Sequence, residues 1–167
     1  MRKVDAYLSF MGDGYKVASY FARLQAEGRA TGIAFEFEGS TSATFDAHRL
    51  AEWCLAMHGE AKQDALIEHQ FAMFFERGRP PSDEAAQLEA AEAAGLPPEE
   101  ARAVLFDRRA FAAETRVKMD AARRGGVRGV PSFTIGGREV AYGAQSADYW
   151  QSILQAELVG QRKLAAQ

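Results

Sequence analysis

Cysteine is almost absent from this chain: Cys54 is the only one in 167 residues. A lone thiol closes no intramolecular disulfide and cannot supply a Cys-x-x-Cys pair or a cysteine-based zinc site. Proline is scarce too, and none precedes Pro80; the others are Pro81, Pro97, Pro98 and Pro131. No apolar run approaches the roughly 18 residues that a membrane span needs. Charge of one sign is also lacking. Lys plus Arg is 20, Asp plus Glu is 23, and the formal net charge is −3. Such a surface offers no general attraction to phosphate backbones, so neither nucleic acid nor membrane is an expected partner. The start, Met1 to Asp5, is too polar for a signal peptide, which makes the cytoplasm, or an organellar matrix, the expected location. His48, His58 and His69 stand in no metal-ligand spacing, so no metal or cofactor is expected.

What is present is mostly helix. Tyr15 to Gln25 carries Val17, Tyr20, Phe21 and Leu24 on one face, and Thr44 precedes a helix over 45–58 whose stripe is Leu50, Trp53, Cys54 and Met57. That stripe makes Cys54 a core residue, since free cysteine behaves as a small buried hydrophobe. A further helix runs over 61–77 with Ile67, Phe71, Phe74 and Phe75 inward; Ser82 caps the next, and short helices follow over 98–107 and 110–124. Ile33, Phe35 and Phe37 alternate with polar residues, which predicts a short strand over 32–38. Residues 3–10 fit a strand and a helix equally well. Clear β pattern comes late: Ser132–Ile135 and Arg138–Tyr142 flank Gly136-Gly137, a two-residue loop suited to a hairpin, and Ser146 caps a last helix.

The most informative stretch is Gly126-Val127-Arg128-Gly129-Val130-Pro131-Ser132-Phe133, a glycine-rich turn leading through Val-Pro into a strand. It resembles the cis-proline loop of the thioredoxin superfamily. Thr44-Phe45-Asp46-Ala47-His48-Arg49-Leu50 and Tyr142-Gly143-Ala144-Gln145 resemble a helix start and a turn of the FrnE-like branch of the DsbA family. Phe74-Phe75-Glu76-Arg77-Gly78 and Gly95-Leu96 fall where that branch carries its helical insertion.

The resemblance implies an α/β chain: an incomplete thioredoxin-like fold with a large helical insertion and a C-terminal β-hairpin plus helix. It divides the chain into a mainly helical part over 1–125, a β-β-α part over 126–160 and a frayed tail over 161–167. The implied activity is protein disulfide oxidoreduction, with a peptide or protein thiol/disulfide substrate. The catalytic dithiol of that family has no counterpart here, so no catalytic residue is expected and the chain as written is expected to be redox-inactive. The strand–helix–strand unit that carries it looks absent; the other alignment puts Lys3 to Phe10 on the first strand, leaving Ser9 as the only nearby hydroxyl. Substrate-binding residues implied by the resemblance are Val130, Pro131, His48, Arg49 and Gln145. Two other functions stay open: a peptide- or protein-binding module built on the cis-proline loop, and a relative of the glutathione-dependent transferases and isomerases. Ala43 stands where the family often has asparagine, which weakens the case for glutathione. A hairpin left with an unpaired edge implies a homo-oligomer.

Overall fold

The computed structural model describes residues 1–165, which form two compact units, Met1–Val117 and a second beginning at Lys118.

The first unit is helical. The ambiguous N-terminal segment is helix α1 (Lys3–Met11), followed after Gly12 by α2 (Gly14–Thr31). Asp13 caps α2 by accepting from the backbone N–H groups of Tyr15 and Lys16. Lys3 is buried, its ammonium donating to the carbonyls of Glu36 and Phe74 and lying 4.3 Å from the centre of the Phe74 ring. Burial pulls its pKa below the ordinary lysine value, with Glu36 opposing.

The strand expected over 32–38 is not formed. Residues 33–38 have no ladder, and pairing here is limited to an isolated bridge between Arg2 and Ser40. The alternation of Phe35 and Phe37 serves ring packing instead: Phe37 stacks on Phe21 at 3.9 Å, and Phe35 meets Phe75 edge-on at 5.9 Å. Neighbouring N–H groups are satisfied one at a time, Glu36 N–H by the Phe75 carbonyl and Ala34 N–H by the Glu76 carboxylate.

Helices α3 (Phe45–His58), α4 (Glu60–Phe75), α5 (Glu84–Ala93) and α6 (Pro98–Phe106) enclose the main core. It is built from Leu50, Trp53, Cys54 and Leu66 against Ala90, Ala91, Leu96, Ala101, Val104 and Leu105. Alanine on α5 lets the helices approach closely, which explains a tight core made of few large residues. On α4 the buried positions are Leu66 and Met73, while Phe71 is exposed, so the core face lies one residue from the expected stripe. Asp83, rather than Ser82, caps α5, accepting from Ala86 N–H.

Helix α7 (Ala112–Arg124) spans the boundary between the units. In the second unit β1 (Ser132–Ile135) and β2 (Arg138–Tyr142) form a two-stranded antiparallel sheet, with a register shift between Phe133 and Thr134. Gly136 and Gly137 both have positive φ (57° and 77°), as a tight two-residue hairpin turn requires. Helix α8 (Ala147–Ala165) starts at Ser146, whose hydroxyl accepts from Tyr149 N–H. Trp150 packs edge-on against Phe133 at 4.4 Å, and the Tyr149 phenol donates to the Val140 carbonyl. The tail expected to fray from 161 is part of α8 as far as Ala165, and 166–167 lie outside the described residues. No helix among the described residues is long and apolar enough to cross a membrane.

Candidate functional site

The Val-Pro loop begins where α7 ends. Gly126 takes a φ of 89°, which lets the Val127 N–H return to the Ala122 carbonyl and close the helix. The Val130–Pro131 peptide bond is cis. Two contacts fix the loop against the end of the hairpin. Gly143 N–H donates to the Pro131 carbonyl at 2.8 Å. The Tyr142 phenol packs onto Gly129, where a Cβ would lie 2.2 Å from the hydroxyl oxygen, so only glycine admits the ring. Between these anchors Val130 is 88% exposed, and among the described residues its N–H and C=O have no hydrogen-bond partner. An open backbone donor and acceptor on a held loop is the arrangement that an extended polypeptide can complete by strand addition.

Gln145 lies at the same end of the hairpin, exposed, its amide donating to the Tyr142 carbonyl at 3.1 Å. Val130, Pro131 and Gln145 therefore share one neighbourhood of the second unit. His48 and Arg49 belong to the first unit. His48 is exposed on the first turn of α3 and borders a cavity of about 100 Å³ with Thr44, Gln70 and Gln87.

Arg49 has a different position from the one its motif implied. Its side chain is fully buried, donating to the carbonyls of Val104 at 2.9 Å, Asp107 at 3.0 Å and Ala110 at 2.7 Å, and pairing with Asp46 at 2.9 Å. These carbonyls lie in and just beyond the last turn of α6, where a helix leaves acceptors unsatisfied, so Arg49 closes that helix and is unavailable to a substrate.

The two candidate nucleophiles are equally occupied. Cys54 is 0% exposed, and burial pushes its thiol above the ordinary value, with Lys62 pulling weakly the other way. Ser9 lies within α1, its hydroxyl donating to the Ala6 carbonyl at 2.8 Å; it does not open a helix whose dipole could stabilise an oxyanion. Among the described residues no group of three His, Cys, Asp or Glu side chains could hold a metal ion.

The sequence reading missed the packing of Tyr142 on Gly129. The available signal was a glycine two residues before the loop proline, but the contact depends on hairpin register. Lys3 was missed as well, because a charged residue near a chain start is ordinarily exposed.

Taken together, a helix-dominated α/β chain with a Val-Pro loop leading into an antiparallel hairpin and a closing helix defines a thioredoxin-like protein. The model of the DSBA-like thioredoxin domain matches residues 7–155, and the chain belongs to that family. It is similar to the crystal structure of a probable DsbA oxidoreductase from Streptomyces coelicolor, with 28% identity and a TM-score of 0.79 over 93% of this chain and 67% of that one. No curated protein matches it.

Proposed function

We propose that this chain acts as a polypeptide-holding domain of the FrnE-like branch of its family, and that it performs no dithiol exchange with its own residues. The observation that carries the reading is the Val130 backbone: exposed, without partners among the described residues, and held in place through Pro131 and Gly129. The single buried thiol supports the second half, because thiolate attack requires an exposed and ionised sulfur, and burial of Cys54 opposes both. The relevant partner is a peptide or protein thiol/disulfide substrate. Cytoplasmic residence is part of the proposal.

The domain also self-associates in this reading. The sheet has two strands among the described residues, so each strand has one edge without a neighbouring strand, and such edges pair with other chains unless blocked. Light scattering at micromolar concentration should give a dimer or larger species; a strict monomer removes this part.

The main test joins two measurements. In an insulin-reduction assay with dithiothreitol the chain should match the uncatalysed background. A scrambled, reduced polypeptide should nevertheless bind, and Val130→Pro, which removes the N–H donor, should abolish that binding. Dithiol turnover, or unchanged capture by Val130→Pro, would overturn the reading.

A further inference from the structure

Two opposite charges line one cavity beside the loop, and neither is neutralised by a protein partner. The cavity, of about 420 Å³, is bordered by Arg128, Glu139, Gly126 and Tyr142. Elsewhere in this unit Arg123 pairs with Asp120 at 3.2 Å, and Arg138 pairs with Glu157. Among the described residues Arg128 and Glu139 form no ion pair, with each other or with any third group, although they border the same space.

Their places in the chain relate this space to the guest strand. Arg128 is two residues before Val130 in the same loop, and Tyr142, which borders the cavity, packs on Gly129 between them. Glu139 is on β2, across from Thr134. An isolated anion gains from Arg128 but is repelled by Glu139, and an isolated cation meets the reverse. The occupant that satisfies both is dipolar. In an extended peptide, side chains two residues apart project from one face at a separation of about 7 Å, so an acid and a base in that spacing can meet the two protein charges together.

We infer that the site selects extended peptides that carry an acidic and a basic side chain two residues apart, the acid on Arg128 and the base on Glu139. The inference rests on the reading that Val130 holds an extended peptide, and it makes Arg128 and Glu139 the specificity residues of that site.

Fluorescence anisotropy with short labelled peptides in a Ser/Thr/Val background tests it. The set is Glu-x-Lys, Lys-x-Glu, the neutral Gln-x-Gln and the doubly acidic Glu-x-Glu. One of the two dipolar orders should bind about fivefold more tightly than the neutral peptide, as expected for cross-strand charge pairs, and the doubly acidic peptide should show no such gain. High salt should erase the difference. Arg128→Gln and Glu139→Gln should each reduce it, and the double exchange Arg128→Glu/Glu139→Arg should invert which order is preferred. Both side chains are exposed, so the variants should keep the parent circular dichroism spectrum and Tm. Equal binding of all four peptides, or an order preference that the double exchange leaves unchanged, overturns the inference while leaving the peptide-holding reading intact. Binding of none of them overturns both.

Discussion

Replacing Arg49 by alanine should destabilise the helical unit while leaving the peptide site untouched. The guanidinium reaches the carbonyls of Val104, Asp107 and Ala110 at 2.7–3.0 Å, and it pairs with a partly exposed Asp46. Truncation strands those acceptors. A stranded buried group costs about 1–3 kcal/mol, and breaking a buried charge interaction costs about 3–5 kcal/mol. Water can reach Asp107, which is exposed, and Ala110, which is half-buried, so the full sum is not paid. A loss of about 4 kcal/mol follows, a large share of the roughly 5–15 kcal/mol that stabilises a domain. For a chain of this size it corresponds to a fall in Tm of about 12 °C. Arg49→Lys keeps a charge for Asp46 but loses the planar fork, and should cost about half as much. Urea unfolding followed by fluorescence, with Trp53 as the core reporter, and by circular dichroism gives both values. A change within about 0.5 kcal/mol, as for an ordinary surface substitution, would refute the helix-closing role. So would intact stability combined with lost peptide binding.

Cys54 in the native protein should react with Ellman's reagent only as fast as the chain opens, and at full stoichiometry in urea; rapid labelling of the native state would contradict its burial. Because burial raises its pKa above the unfolded value, the stability it contributes is complete below the ordinary thiol range and is lost as pH rises through the folded value. Unfolding titrations above pH 9.0, the reference value, should therefore show an alkaline loss that Cys54→Ala reduces. Asp83 behaves in the opposite sense. The hydrogen bond from Arg79 holds its carboxyl below the usual range, so its contribution is present above that range and is lost as pH falls through the folded value. Asp83→Asn keeps the cap on α5, and should flatten the acid limb of the stability profile by about 1 kcal/mol or less; an unchanged limb would contradict the ion pair. Gly129→Ala should displace the Tyr142 ring and weaken peptide capture, whereas the same change in a Tyr142→Ala background should have little added effect. Additive losses would show that the two residues do not act through their contact.

Helices were legible in the sequence wherever an apolar stripe and a breaker coincided. The helix over 45–58 and the hairpin over 132–142 were both marked by such local signals. The errors came from residues whose role depends on distant partners. Phe35 and Phe37 alternate as strand residues do, but rings from Phe21 and Phe75 claim them, and no neighbouring strand offers a ladder. Arg49 sits beside an exposed histidine in a motif that suggested substrate contact. Its partners lie 55 to 61 residues away at the end of α6, and no local pattern reveals them. The loop at Val130 was legible because glycine and proline restrict the backbone directly. The unpaired charges at Arg128 and Glu139 were not, since their shared cavity exists only once β2 folds back beside the loop.

In the proposed function Val130 holds an extended polypeptide through its own backbone, without chemistry at sulfur. A titration of the isotope-labelled chain with a cysteine-free extended peptide, followed by backbone amide shifts, tests it directly. Saturable shifts and slowed hydrogen exchange are expected at the Val130 amide and its loop neighbours, with the environment of Cys54 unchanged. Saturable binding with no perturbation between Val127 and Pro131, or binding that requires a disulfide in the peptide, would contradict it.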